Sequence, residues 1–219
     1  VEAAELELSE AAGTPSGRLR VSLPRYSRLF EPAIATFMKQ YPQVRLDLDF
    51  TDRMVDVIGE GYDAVVRSGE MQDSGLKRRR LGPFRRILAA SPDYLARHGT
   101  PRRASDLLRH CCLHYRFPST GKLEQWPLKT AAGAAAPELP LTLVCNSVET
   151  RIFLALGGLG IACLPDFTIK EELAAGRLVT VLDERTRGNA TMWAVWPASR
   201  HPSPKLRVFV DHLAQQLFP

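Results

Sequence analysis

Gly17-Arg-Leu-Arg-Val-Ser-Leu-Pro24 followed by Arg25-Tyr26-Ser27, and Leu141-Thr-Leu-Val-Cys145 followed by Asn146-Ser147, each run a short apolar strand straight into a helix opening. The doubling predicts two similar lobes facing a shared cleft. A helix N-terminus carries unpaired N–H groups and partial positive charge. Two of them aimed at one crevice make a site for a small ligand, an anion above all.

Outward from the first opening, Leu29, Phe30, Ile34, Phe37, Met38 and Tyr41 recur at helical spacing, and Val44, Leu46, Leu48 and Phe50 alternate as a strand does. Residues 54–58 read as a helix ended by Gly59 and Gly61, and residues 63–67 as a buried strand. The order β-α-β-α-β implies a parallel sheet with right-handed crossovers. Ser91 and Pro92 then suit the cap and first position of a helix that begins a second lobe. Within it, Ser105 is expected to cap a short helix, residues 111–115 and 123–128 read as strands, and residues 130–137 form a small-residue loop.

From the second opening a helix with apolar Ile152, Leu154, Ala155 and Leu156 stops at Gly157-Gly158. Residues 160–165 read as a buried strand and 167–175 as a helix closed by Gly176, which repeats the first plan. Strands over 178–182 and 191–196 precede a last helix capped by Ser203, with Leu206, Phe209, Val210, Leu213 and Leu217 as its stripe. If that strand and helix return to the first lobe, the chain crosses between lobes near 87–91 and 186–191. Paired crossovers permit hinge bending.

The 219 residues are 45% hydrophobic and 24% charged, the balance of a globular α/β protein rather than a disordered or fibrous one. No apolar run approaches the roughly 18 residues of a membrane span. The acidic opening, residues 1–12, lacks the basic region of a secretory signal and reads as the last turns of a helix begun upstream. The net charge of +5 concentrates at Lys77-Arg78-Arg79-Arg80 with Arg85 and Arg86, on strand-like sequence without interleaved aromatic residues; a solvated sheet edge accounts for it better than a nucleic-acid platform. Cys111, Cys112, Cys145 and Cys163 lack CxxC spacing and lie in apolar runs, so reduced thiols are expected. The group His110-Cys111-Cys112-Leu113-His114 leaves a fourth zinc ligand unnamed.

No nucleophile elbow, zinc-protease or phosphate-loop pattern occurs, and Gly157-Gly158-Leu159-Gly160 follows a helix rather than preceding one. An enzyme is not expected, nor a metal or cofactor. Ser27, Thr51, Ser68, Asn146 and Ser147 are instead the neutral hydrogen-bonding groups a cleft needs, with Arg25 and Arg67 as anion clamps. Each has a second use: Ser27, Asn146 and Ser147 as helix caps, Thr51 as a cap on the helix at Met54, Arg67 as the partner of Asp63 or Glu70.

Taken in order, Gly17-Arg-Leu-Arg-Val with Pro32 and residues 37–42, residues 55–69 (Val-Asp-Val-Ile-Gly-Glu-Gly-Tyr-Asp-Ala-Val-Val-Arg-Ser-Gly), Ala90-Ser-Pro-Asp-Tyr-Leu95 with Gly99 and Pro101, and residues 157–165 and 172–179 carry a family resemblance. Residues 17–219 are similar to the effector-binding, or regulatory, domain of LysR-type transcriptional regulators. The resemblance implies an α/β fold of two Rossmann-like lobes with a hinge, like the type 2 periplasmic binding proteins. Lobe I would be 14–88 plus 190–219, lobe II 89–189, and 1–13 the tail of a linker helix. It implies a cytoplasmic protein whose N-terminal winged helix-turn-helix, absent from this chain, contacts promoter DNA.

A small-molecule effector would lodge between the lobes at Pro24, Arg25, Tyr26, Ser27, Thr51, Arg67, Ser68, Asn146 and Ser147, with Phe117 from the loop after the 111–115 strand. Residues 25–28, Arg-Tyr-Ser-Arg, are bulkier than the small polar residues common there, so Arg25 either selects a carboxylate effector or fills the cleft. Pairing through the helix at 30–41 and the strand at 45–50 would give a homodimer, and a tetramer at full length. A solute-binding protein of a transport system would share the cleft but should carry an export signal or lipid anchor.

Overall fold

Leu19, Val21 and Leu23 are fully buried along β1 (Gly17–Leu23), and Ser22 on the opposite face is buried too, so this strand lies in a sheet covered on both sides. The computed structural model describes residues 15–69, 75–129, 135–185, 188–198 and 202–218. The expected helix tail at 1–13 lies outside the described residues, as do residues 130–134 of the loop expected at 130–137. The chain divides into two units, one of residues up to Pro83 with Thr191–Pro219, the other Phe84–Ala190.

In the first unit β2 (Val44–Phe50) runs parallel to β1 from Gly17↔Val44 to Leu23↔Phe50, and β3 (Ala64–Ser68) is parallel on β1's other side, with Val21 opposite Ala64. β9 (Asn189–Pro197) pairs antiparallel with β3, giving the order β2-β1-β3-β9-β4 with β4 (Leu76–Ala90) last. The crossover from β1 is α1 (Ser27–Gln40), which buries Phe30, Ala33 and Phe37 and packs against α5 (Pro204–Gln216). Phe37 meets Phe209 edge-on at 5.0 Å, a favoured aromatic geometry. Met38, read as part of that stripe, is 55% exposed.

Residues 54–56 are irregular and 57–61 form a turn, where a helix was expected at 54–58. The Asp56 carboxylate accepts from the Ile58 and Gly59 N–H groups at 3.1 and 3.0 Å, a local bond that competes with helical pairing. The basic run 77–80 is exposed on β4 at the end of this unit's strand order. Arg78 lies over Trp193 at 4.8 Å, and Arg79 pairs with Asp211.

In the second unit β7 (Ile161–Pro165), buried throughout, lies antiparallel to β4 from Arg86↔Pro165 to Ala89↔Ala162, and β8 (Val179–Val181) also pairs β4. β5 (Cys112–Tyr115) is parallel to β7 and to β6 (Leu143–Cys145). Ser91 caps α2 (Pro92–His98) by accepting from Tyr94 N–H at 3.2 Å, as its sequence position predicts. The short turn at Ala104–Arg109 is held by Asp106, not Ser105: its carboxylate takes the Arg102 and Arg103 N–H groups at 2.9 and 3.1 Å.

Residues 123–128 carry isolated bridges at Leu123, which pairs with Arg116, and at Leu128, where a continuous strand was expected. The helix expected at 167–175 splits into a tighter turn, Asp166–Ile169, and α4 (Lys170–Ala174). α3 (Val148–Leu156) ends at Gly157-Gly158 as read: Leu159 N–H donates to Leu154 and Gly158 N–H to Ala155, with Gly158 at φ +70°. Arg97 fastens this terminus by donating to the Gly158 carbonyl at 2.9 Å while pairing with Asp93 at 2.8 Å. No helix of the described residues is long and apolar enough to cross a membrane.

Candidate functional site

The register of the first unit sets the C-terminal ends of β1, β2 and β3 side by side, so Pro24, Arg25, Tyr26, Ser27, Thr51, Arg67 and Ser68 share one end of its sheet. Thr51 N–H donates to Leu23 at 2.8 Å and Arg25 N–H to the Asp52 carboxylate at 3.0 Å, tying the two strand ends together. Tyr26 N–H turns back to the Pro24 carbonyl at 2.7 Å. Pro24 is buried, Tyr26, Ser27 and Thr51 are half-buried, and Arg25 and Ser68 are exposed.

Ser27 is not a cap. It holds the first helical position, Tyr26 stands at the cap, and no side chain bonds the first-turn N–H groups of α1. Leu29 N–H donates to the Tyr26 carbonyl at 2.9 Å, and no side-chain cap serves the other donors of the first turn. Nor does Thr51 cap a helix; its hydroxyl accepts from Arg53 N–H at 3.3 Å and closes a local turn.

Arg67 does not pair with Asp63, which accepts from Arg20 N–H at 2.9 Å; Glu70 lies outside the described residues. Its guanidinium donates instead to Ser22 Oγ at 2.8 Å and the Val66 carbonyl at 2.7 Å, both neutral acceptors. Burial pulls the Arg67 pKa down while the charges of Asp52 and Asp49 oppose the shift. Nearby, hydrogen bonds from Arg53 hold the Glu60 carboxyl at about 2.

The second opening is built differently. Ser147 caps α3, accepting from Thr150 N–H at 3.1 Å, and its hydroxyl also meets Glu149 and the Thr150 hydroxyl at 3.2 and 3.0 Å. That leaves Asn146, exposed, as the polar side chain presented. Arg116 N–H donates to the Cys145 carbonyl at 2.8 Å, so the loop carrying Phe117 adjoins the end of β6. Phe117 is 41% exposed and stands edge-on to Tyr115 at 5.3 Å. The ten expected residues thus form two groups, one within each unit.

Arg151, absent from the expectations, is 2% exposed and lies 4.8 Å over the Tyr115 ring. Its Nη1 donates to the Cys163 carbonyl at 2.6 Å and toward Glu124 Oε2 at 3.4 Å, while Glu124 Oε1 takes Arg86 at 3.5 Å. Buried Val148, Arg151 and Ala155 share one stripe of α3, so the signal was present: a charge at a core-facing position.

Elsewhere in this unit burial pushes the Cys112 thiol up to about 12 and raises Cys163 as well, whereas Cys111 and Cys145 are half-buried. His110 meets the Tyr94 hydroxyl at 3.1 Å and His114 the Pro140 carbonyl at 3.0 Å; burial lowers the pKa of both rings.

Residues 12–218 match the family model described as the LysR substrate binding domain. CrgA of Neisseria meningitidis, an HTH-type transcriptional regulator, is 36% identical over 98% of this chain and 72% of its own length. DmlR of Escherichia coli, also an HTH-type regulator, is 34% identical over 95% of this chain and 68% of its own. The solved CrgA regulatory domain superposes with a TM-score of 0.80 at 33% identity, covering 93% of this chain and all of that one.

Proposed function

The chain belongs to the LysR substrate binding domain family, and from that premise we propose that it senses a small-molecule effector for a cytoplasmic transcriptional regulator whose winged helix-turn-helix precedes it. The observation that carries the reading is the α1 opening, a helix start without a side-chain cap beside the aligned ends of three parallel strands. Strand ends of this kind are where α/β sheets bind ligands. An effector acts by favouring one arrangement of the protein over another, and a coupling of ~1–3 kcal/mol suffices to retune promoter binding. The relatives named above are transcriptional regulators, which favours this role over solute transport and over catalysis.

α1 and β2 are the elements through which we expect two copies to pair, giving a dimer in sedimentation at micromolar concentration and a tetramer at full length. The effector is sought by a thermal-shift screen of small carboxylates and aromatic metabolites on the wild type, Arg25→Ala and Asn146→Ala. A stabilising compound is expected for the wild type, with a weaker response in both variants. A response lost only in Asn146→Ala confines the effector to the second opening. Unchanged responses in both variants remove the two residues from the site.

A further inference from the structure

We propose that the guanidinium of Arg151 anchors a carboxylate group of the effector, through the edge formed by Nε and Nη2. The proposal rests on the effector-sensing reading and names the class of ligand it takes. A guanidinium is a planar fork of five donors and keeps its charge when buried. Arg151 spends Nη1 on both of its protein acceptors, the Cys163 carbonyl and Glu124. Nε is buried with no hydrogen-bond partner, and Nη2 makes neither of the two hydrogen bonds by which the guanidinium is held. That edge is the pair of parallel N–H groups that fits a carboxylate in bidentate fashion.

The charge count points the same way. Glu124 is shared by two guanidiniums, Arg86 at 3.5 Å and Arg151 at 3.4 Å, so the three groups carry one uncompensated positive charge. Both contacts exceed the roughly 2.7–2.9 Å of a well-formed charge-assisted bond. A cation 2% exposed and poorly neutralised gains from an oxyanion that completes its shell.

Position and surroundings define the rest of the ligand. Arg151 lies one turn into α3, and helical side chains lean toward the N-terminus, here toward Asn146 and Ser147. Tyr115 beneath the guanidinium pairs in register with Cys145, the residue before Asn146. Phe117, exposed and edge-on to Tyr115, supplies an apolar wall beside the same strand end. The matching compound is a small carboxylate with an apolar or aromatic body.

The test follows the Nε–H resonance of Arg151 in ¹⁵N-edited spectra of the whole chain, assigned by its contacts to the Tyr115 ring. Sodium benzoate and sodium acetate are titrated against sodium chloride at equal ionic strength. A saturable shift is expected with benzoate, a weaker one with acetate and none with chloride. Arg151→Lys keeps the charge and loses the fork, so benzoate affinity should fall about tenfold. Glu124→Gln removes the competing carboxylate and should tighten benzoate at least about threefold, an arm that holds if the lysine variant fails to fold.

A resonance unmoved by either carboxylate, or moved equally by chloride, overturns the anchor and leaves Nε to an ordered water or an adventitious ion only. Stabilisation by benzoate that persists in Arg151→Lys, together with a wild-type Nε–H resonance that benzoate leaves unmoved, also removes the anchor but keeps the effector-sensing reading. The absence of any stabiliser in the wider metabolite screen removes that reading as well.

Discussion

Two openings that look alike in sequence divide the work of binding differently. In the first unit the strand ends offer uncapped backbone N–H groups, and the cations there have local company: Arg53 is bound to Glu60, and Arg67 rests on neutral acceptors with Asp49 and Asp52 nearby. In the second unit the helix start is closed by Ser147, and the available cation is an inward-facing arginine a turn further on. A strand-to-helix pattern therefore locates a helix mouth but does not say whether its donors are backbone or side chain. That depends on one residue, whether the cap position holds a hydroxyl that reaches back.

The largest test of this contrast is Arg151→Ala. It leaves Glu124 with Arg86 alone, strips the Cys163 carbonyl of its donor and opens space above Tyr115. A loss of about 3 kcal/mol in urea unfolding is expected, the lower end for breaking a buried pair because one partner remains. A loss under about 1 kcal/mol would show that the guanidinium is not needed for the second unit. Next comes Ser147→Ala, which removes a working cap and should cost about 1 kcal/mol, set against Ser27→Ala, within about 0.5 kcal/mol because that hydroxyl caps nothing. Equal costs would erase the distinction between the openings.

A pH effect sharpens the comparison further. The folded-state pKa values of His110 and His114 lie below the ordinary histidine value, so the unfolded chain takes up protons first. Their contribution to stability is complete above about pH 6.5 and declines as the pH falls below it. Both belong to the second unit. Amide exchange, corrected for its intrinsic rate, should show β5 losing protection relative to β1 between about pH 7 and about pH 5.5. Parallel behaviour of the two strands would contradict this.

Local pattern carried much of the architecture. Alternation in β1 and β2, the Ser91-Pro92 start and the Gly157-Gly158 stop are each properties of a few neighbouring residues, and the structure reproduces them. The misreadings share one physical cause, side chains that outbid the backbone or reach across long distances. Asp56 satisfies the N–H groups that a helix at 54–58 would have used. Residues 123–128 alternate well enough for a strand, yet their service is to deliver Glu124 to Arg86 and Arg151, partners 38 and 27 residues away. At the candidate site, Ser27 and Ser147 read identically in sequence; the backbone turn at Pro24–Tyr26 moves the first past the cap position.

One consequence lies at the far end of α3. A Cβ placed on Gly158 would stand 2.7 Å from Arg97 Nη2 and 3.0 Å from Asp93 Oδ2, in a backbone conformation that side chains resist. The latch holding the helix tail therefore closes over a hydrogen atom where any other residue would bring carbon. In a randomised library the alphabet at 158 contracts to glycine first with Asn and Asp behind it, while at Phe153, 74% exposed on the same helix, nearly every letter remains readable.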